Sequence, residues 1–327
     1  MASPLLSPEG LRGDGRRPME LRRLRVSFAA NAPLEDTPAD GASGASSFAL
    51  CDGHASFTSG QTTCTALVLG PREASRFSAA LSAEEVVAQG DVFGGGGAAA
   101  AAGGGVLFGG ARAYGTIAAS VTHVGFARSK RPASNASSFA GAGRRAGLSA
   151  SAWRKTTLEE EHAEVLRSTL SAVVDLKLYA ESEIAVHVDV VSGDGGELAA
   201  SLNAAFLALL DAGIAVTNPM AAVTVGVFPS ASKETQQQQS DGNKSGSEPT
   251  IMLDLTSMEY DMCSGVRATV AYYDRGDVAA LVLDGAPTDQ TTIDGLVKTC
   301  QSACRAVSQT MRTASLSMLK ERAIVLC

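Results

Sequence analysis

The sequence has no apolar run approaching the roughly 20 residues that cross a bilayer, so it predicts no membrane-spanning helix. It also lacks a basic start followed by an apolar stretch, and we expect no secretory signal peptide. Its six cysteines form no C-x-x-C pair, and no histidine cluster lies beside them. This pattern favours buried free thiols in a reducing compartment over disulfides or a zinc site, so neither a metal nor a cofactor is expected.

The composition is that of a globular protein, with 45% hydrophobic and 19% charged residues over 327 positions. We predict a single domain over residues 1–327. Low-complexity stretches rich in Gly, Ala, Ser or Gln interrupt it and cannot bury enough apolar area to offset the cost of ordering them. These predicted insertions lie at about 31–47, 74–110, 133–152 and 230–249.

Charge is unevenly distributed along the chain. The net charge is −7, yet Arg12 to Arg25 carries a local balance of +4 and Arg128 to Lys155 a balance of +7. Such concentrated basic zones can bind phosphate backbones even on an acidic protein. On composition alone, such clusters of cations are usually solvated surface.

The rest of the chain is organised around residues 184–216. Alternating valines flank His187 and Asp189, which predicts a half-buried strand. A turn at Gly193–Gly196 follows, then an apolar helix that stops at Gly213. Free N–H groups at such a turn suit an anion, although glycines there can simply permit the turn.

Several further elements follow from local patterns. Thr157 and Glu160 have capping-box spacing at the start of a helix. A final amphipathic helix is predicted from about Thr291 to Leu319. Strands are predicted near residues 21–28, 52–71, 113–124, 221–228, 250–255, 266–273 and 278–284. This mixture favours an α+β fold with helices packed on one side of a mixed sheet.

Four segments together resemble the RNase PH family, and within it the ring subunits of the RNA exosome. They are S-P-E-G-L-R-G-D-G-R-R-P-M-E-L-R, D-G-H-A-S-F-T-S-G-Q-T-T followed by G-P-R-E, F-A-R-S-K-R-P, and D-G-G-E-L-A-A-S-L-N-A-A-F-L-A-L-L-D-A-G-I. The resemblance implies an RNase PH-like α+β fold that assembles into a ring of six around a pore. Active members of the family shorten RNA from its 3′ end, with inorganic phosphate as the attacking group.

The resemblance also implies a degenerate phosphate site at Gly195, Gly196, Glu197 and Leu198. Active members typically read D-G-G-T-R, where Thr and Arg help to bind phosphate, whereas this chain has Glu197 and Leu198 after its two glycines. An arginine can grip phosphate with two hydrogen bonds, and a leucine cannot.

A second family position is also replaced. Active members carry an E-x-D pattern followed six positions later by the catalytic Asp. Glu259 and Asp261 match the pattern, but the sixth position is Arg267, which stays protonated and cannot donate the proton required. Asp261 and Arg267 thus form a degenerate acid site. We interpret Glu259 and Asp261 as solvated residues at a strand edge.

The third segment carries Arg128, Lys130 and Arg131, matching a family loop that contacts RNA backbone, and Arg76 falls near a loop that lines the pore neck. No aromatic residue interleaves these cations, so sequence-tolerant backbone contact is expected rather than base stacking. Arg16 and Arg17 are expected to hold the fold or the ring interface through ion pairs.

The sequence therefore favours a non-catalytic exosome ring subunit that guides RNA 3′ ends for processing and decay. The implied partners are single-stranded RNA, other RNase PH-like subunits, RNA-binding cap subunits and a separate catalytic nuclease, with no membrane. The implied locations are nucleus, nucleolus and cytoplasm. Two alternatives stay open: an active phosphate-dependent 3′-exoribonuclease whose acid is an unidentified residue, and a different RNase PH-like ring subunit.

Overall fold

A computed structural model describes Ser7 and residues 10–28, 51–73, 114–127, 157–228, 250–263, 265–285 and 290–326. Its strands are β1 Leu24–Phe28, β2 Gly53–Ser59, β3 Thr62–Glu73, β4 Thr116–His123, β5 Ser182–Ser192, β6 Met220–Phe228, β7 Thr250–Leu253, β8 Val266–Tyr273 and β9 Val278–Gly285. Its helices are α1 Thr157–Val173, α2 Glu197–Asp211, α3 Ser257–Met262 and α4 Gln290–Leu326, with a 3₁₀ helix at Leu176–Tyr179. The four predicted insertions lie outside the described residues.

The strands form two sheets. The first has the order β1-β2-β3-β5-β4 and is mixed, because β4 runs parallel to β5. The second has the order β7-β6-β8-β9, and its neighbours are all antiparallel. Every predicted strand is present, and the predicted α+β class is confirmed.

Alternation on β5 places its apolar side chains inward, as predicted. Ile184, Val186 and Val188 are fully buried. On the opposite face, His187 lies 2.5 Å from the Ser120 hydroxyl, and Asp189 accepts a 2.8 Å hydrogen bond from Thr122. The outward polar residues are therefore satisfied by the parallel neighbour β4.

The central helix α2 lies between the two sheets, contacting β2 and β3 on one side and β6 and β8 on the other. The expectation of helices on one side of a single sheet is therefore wrong. Every residue from Leu198 to Leu209 is buried, because small alanines let strands approach closely. A β-carbon on Gly53 would lie 2.3 Å from the Ala208 carbonyl oxygen. Leu210, at the end of the helix, is 37% exposed.

The helix boundaries agree with the local signals. Gly213 has φ 72° and follows the end of α2, as the predicted stop requires. Helix α1 begins at Thr157, but that residue's side chain lies outside the described set. Helix α4 extends to Leu326, beyond the predicted Leu319. No described helix is long and apolar enough to cross a membrane.

Candidate functional site

The Gly-rich turn between β5 and α2 is held tightly by its neighbours. Gly195 and Gly196 have φ values of 82° and 65°, in the left-handed region that favours glycine. A β-carbon on Gly195 would lie 2.4 Å from the Leu255 carbonyl oxygen. The Thr62 hydroxyl donates a 2.7 Å hydrogen bond to the Gly195 carbonyl. The turn is therefore pressed against the backbone that follows β7.

The Arg22 side chain holds this turn in place through hydrogen bonds. Its side chain is 6% exposed. The guanidinium donates to the carbonyl oxygens of Asp194 at 2.7 Å and Gly195 at 3.2 Å. It also donates to the Asp254 carboxylate at 2.6 Å. One buried cation therefore ties β1, the turn and the end of β7 together.

Asp254 is the partner that balances this charge. It has φ 52°, and its carboxylate also accepts hydrogen bonds from the Arg22 backbone N–H at 3.0 Å and the Ser59 hydroxyl at 2.9 Å. Burial raises the pKa of Asp254, but the hydrogen bonds and charge of Arg22 outweigh it and hold the pKa below the usual 3.8. Asp254 is therefore ionised at neutral pH.

A second buried pair joins Arg12 to Glu259. The Arg12 side chain is fully buried, and its Nε donates to Glu259 at 2.7 Å. Its other nitrogens donate to the carbonyl oxygens of Leu253 and Asp254 at 2.6 and 3.1 Å. Burial raises the pKa of Glu259, yet hydrogen bonding to Arg12 outweighs it and keeps the pKa below 4.5.

The interpretation of Glu259 as a solvated strand-edge residue is therefore wrong. Residues 257–262 form α3, and Glu259 completes a capping box with Thr256. The Thr256 N–H donates to the Glu259 carboxylate at 2.9 Å. The alternation of E-x-D resembled a strand, but a Thr three residues before a Glu is also a helix start. Asp261 lies on the exposed side of this helix.

Arg267 lies on β8 directly beside α3. Its guanidinium is 2.5 Å from the Asp284 carboxylate and 4.2 Å from the centre of the Tyr260 ring. It also donates to the Tyr260 carbonyl at 3.3 Å. Burial raises the pKa of Tyr260, and the nearby carboxylates of Asp284 and Glu197 add to the rise. The Gly-rich turn also contacts this helix, because the Ser257 N–H donates to the Asp194 carboxylate at 3.3 Å, so the turn and Arg267 both border α3.

Glu197 turns back from the start of α2. Its carboxylate crowds Gly193, where a β-carbon would lie 2.2 Å from Oε1, and its other oxygen lies 2.9 Å from His123 Nε2. His123 Nδ1 lies 3.4 Å from Glu159. Neither His123 nor Glu159 was predicted. His123 nevertheless shares the alternation of β4 with the buried residues Ile117 and Val121. The sequence could therefore have shown that its side chain faces inward.

The remaining residues singled out in the sequence lie either in the core, near the N-terminal segment, or outside the described residues. Leu198 is 7% exposed and belongs to the core. Arg16 pairs with Asp14 at 2.5 Å and donates to the Asp254 carbonyl at 3.3 Å, so its predicted structural role is confirmed. The Arg17 backbone N–H donates a 3.1 Å hydrogen bond to the Glu20 carboxylate. Arg76, Arg128, Lys130 and Arg131 lie outside the described residues.

The described part of the chain contains free cysteines and no cluster of side chains suited to a metal ion. Cys64, Cys263, Cys300 and Cys304 are free and buried, as predicted, and Cys51 is free and half-buried. Burial raises the pKa of Cys300 to about 12, so the thiol stays protonated. Among the described residues, no group of three or more His, Cys, Asp or Glu side chains could hold a metal ion.

The family model described as "3′ exoribonuclease family, domain 1" of RNase PH matches residues 111–215. This range runs from β4 through the Gly-rich turn to the end of α2. Residues 111–215 are therefore similar to domain 1 of the RNase PH family. The predicted resemblance is therefore confirmed.

Several proteins similar to this chain are named as exosome components. The Arabidopsis thaliana RRP41 homolog is 27% identical over 45% of this chain and 53% of its own length. Rrp41 of Pyrobaculum calidifontis is 32% identical over 42% of this chain and 48% of its own length. RRP41 of Bos taurus is 28% identical over 68% of this chain and 64% of its own length. The chain thus spans about half to two thirds of the length of these relatives.

Solved structures confirm the RNase PH fold. Rice Rrp46 superposes with a TM-score of 0.58 at 18% identity, covering 93% of this chain and all of that one. A chain of the Archaeoglobus fulgidus exosome, solved with RNA bound to its active site, superposes with a TM-score of 0.55 at 16% identity. The match covers 92% of this chain and 93% of that one. At these identities the likeness establishes the fold alone.

Proposed function

We propose that this RNase PH-type chain is a non-catalytic ring subunit of the RNA exosome. It would help to form the central pore and guide RNA 3′ ends to a separate nuclease, in rRNA maturation and mRNA turnover. Its partners would be other RNase PH-like subunits and RNA-binding cap subunits, in the nucleus, nucleolus and cytoplasm. The observation that carries the proposal is the pair Leu198 and Arg267, which occupy the two positions where active members typically have Arg and Asp.

The surroundings of the phosphate position support this proposal. Leu198 offers no hydrogen-bond donor, and its side chain is buried in the core. The Glu197 carboxylate lies at the positive end of α2 and against His123, so negative charge is already present where an anionic ligand would bind. A second anion at this helix end would be repelled.

The surroundings of the acid position support it as well. A general acid must carry a proton at the working pH. Arg267 cannot release its proton, and the buried carboxylates of Asp254 and Glu259 are held ionised by Arg22 and Arg12. None of these three side chains can therefore protonate a departing ribose oxygen at neutral pH.

The first test is phosphorolysis by an assembled ring containing this chain. Incubated with single-stranded RNA and inorganic phosphate, the ring should release no nucleoside diphosphate through this subunit, while an active RNase PH enzyme releases it under the same conditions. A ring carrying Asp261→Asn is the matched variant, because Asp261 is the exposed carboxylate retained at the acid position. Release that falls when Asp261 is changed would establish the phosphorolytic alternative instead.

The second test concerns the RNA path. We expect Arg128→Glu with Arg131→Glu to weaken RNA binding by the ring by about tenfold or more, because each lost phosphate contact and each added carboxylate opposes backbone binding. Arg23→Glu with Arg25→Glu makes the same charge change at exposed positions at and just before β1 and should have a smaller effect. Nuclease protection and its salt dependence measure both. Equal weakening by the two variants would remove the assignment of Arg128, Lys130, Arg131 and Arg76 to the RNA path.

A further inference from the structure

Helix α4 exposes apolar side chains on the side away from the core. Its buried face carries Val307, Met311 and Met318, each 2% exposed. Leu316 and Leu319 are 49% and 55% exposed. Because an α-helix turns by about 100° per residue, Leu316 lies about 160° around the helix from Met318. Leucines therefore occupy a side of α4 where an amphipathic helix usually carries polar residues.

The end of α4 extends beyond the core. Met318 is the last buried side chain that the structure describes on this helix, and none of the side chains from 319 to 324 is buried. Ile324 is 76% exposed. Arg322 pairs at 2.5 Å with Asp211 at the end of α2, which fixes this part of α4 against the domain. The exposed leucines are therefore presented on a helix that the rest of the domain holds in place.

The exposed leucines belong to a row with the spacing of a helix–helix contact. Four exposed residues, which we call the α4 seam, are separated by four, three and four positions: Arg312, Leu316, Leu319 and Ala323. The a and d positions of a coiled coil have this spacing, and their side chains pack between those of a second helix. A partner helix therefore fits the seam. An extended strand, whose side chains repeat every two residues, does not.

Charge around the seam is of one sign. Arg305, Arg312 and Lys320 are exposed and lie within about 40° of Leu316 around the helix. Glu321 is the only acidic residue between positions 305 and 324, and it lies about 140° away from Leu316. A second copy of this chain would bring further cations to these cations. A helix with Glu or Asp beside its apolar row would neutralise them, as residues beside the seam of a coiled coil do.

We propose that the C-terminal half of α4 binds an acidic amphipathic helix from a partner protein that is not an RNase PH-type subunit. Apolar side chains of that helix would pack on Leu316 and Leu319, and its carboxylates would approach Arg312 and Lys320. Two half-exposed leucines fall short of the roughly 800 Å² per partner of a standard interface. The seam therefore fits a short helical segment rather than the face of a globular subunit. This inference does not depend on the function proposed above.

The experiment measures binding of two labelled peptides to the full chain by fluorescence anisotropy. Both peptides have four heptads with Leu at a and d, and they differ only in carrying Glu or Lys at e and g. The Glu peptide should bind about tenfold or more tightly than the Lys peptide. Leu316→Asp with Leu319→Asp should weaken its binding by about tenfold or more. Leu178→Asp with Met258→Asp is the matched control, because these residues are 66% and 72% exposed on other elements, and it should leave binding unchanged.

A charge reversal gives a result that misfolding cannot imitate. Arg312→Glu with Lys320→Glu should reverse the preference, so that the Lys peptide binds more tightly than the Glu peptide. Lys177→Glu with Arg275→Glu makes the same change at exposed positions outside α4 and should retain the original preference. Thermal unfolding of all four double variants checks that each one is folded.

Several outcomes would overturn the inference. Equal binding of the two peptides, or binding that the seam variants leave unchanged, would remove the acidic helix as the partner. Displacement of the Glu peptide by single-stranded RNA would assign these cations to a nucleic acid instead. A wild-type homodimer in sedimentation velocity that Leu316→Asp with Leu319→Asp disrupts would make a second copy the partner. Peptide binding that disappears when the chain enters a ring would make the seam a ring contact, whereas a chain that enters no ring but binds the Glu peptide would overturn only the proposed function.

Discussion

Replacing Asp254 with Asn should lower the free energy of unfolding by about 3–5 kcal/mol, the usual cost of removing one partner from a buried ion pair. The substitution leaves the buried Arg22 guanidinium without its closer carboxylate, and the Asp194 carboxylate at 3.5 Å is the one that remains. Asn has nearly the same shape and tolerates the left-handed backbone at this position, where φ is 52°. The measured effect would therefore report the lost charge rather than a backbone change.

Urea denaturation at neutral pH measures this cost, with Asp284→Asn as the matched control. Asp284 also pairs with an arginine, but its side chain is 56% exposed, and such pairs contribute about 1 kcal/mol or less. The pKa of Asp254 is lowered on folding, so its contribution is present above the usual value of 3.8 and is lost as the pH falls through the lower folded pKa. The difference between wild type and Asp254→Asn should accordingly shrink below about pH 4. Equal costs for the two variants would contradict the anchoring role of the Arg22–Asp254 pair.

Replacing Gly195 with Ala should destabilise the fold by about 3 kcal/mol, through two effects that add. The left-handed conformation, with φ 82°, costs an alanine about 1–2 kcal/mol. The new β-carbon would also lie 2.4 Å from the Leu255 carbonyl oxygen, and relieving such an overlap by moving backbone costs about 1–3 kcal/mol.

Two other glycines separate these effects in the same urea experiment. Gly213 has φ 72° but nothing within 4 Å of a β-carbon, so Gly213→Ala should cost only the conformational part, about 1 kcal/mol. Gly295 lies within α4 with open space around it, and Gly295→Ala should stabilise by up to about 1 kcal/mol. If Gly195→Ala costs no more than Gly213→Ala, the turn is not pressed against the backbone after β7.

Elements that are determined by a few neighbouring residues could be predicted from the sequence. The alternation on β5 and the Gly213 stop act within a few residues, and both are where the pattern places them. The position of α2 between two sheets also had a signal, because that helix is apolar on every face and not along one stripe.

The site was predicted less completely, since its anchors are contacts between distant parts of the chain. Arg22 meets Asp254 across 232 positions, and Arg12 meets Glu259 across 247. Arg22 continues the alternation of Leu24 and Val26, whose side chains face inward. This pattern could have predicted that Arg22 is buried. Arg12 follows no periodic pattern, so its partner could be found only in the folded chain.

The separation between Arg12 and Glu259 has a consequence for synthesis on the ribosome. The arginine is synthesised 247 residues before its carboxylate partner. At roughly 5–20 residues per second, this corresponds to a delay of about 12–50 seconds. During that time the first strands and α2 can already collapse, while the basic N-terminal segment has none of its carboxylate partners beyond residue 250. Completing this site therefore requires late residues to reach the first residues of the chain, and a nascent protein truncated before residue 254 would leave Arg12 without Glu259 and Arg22 without Asp254.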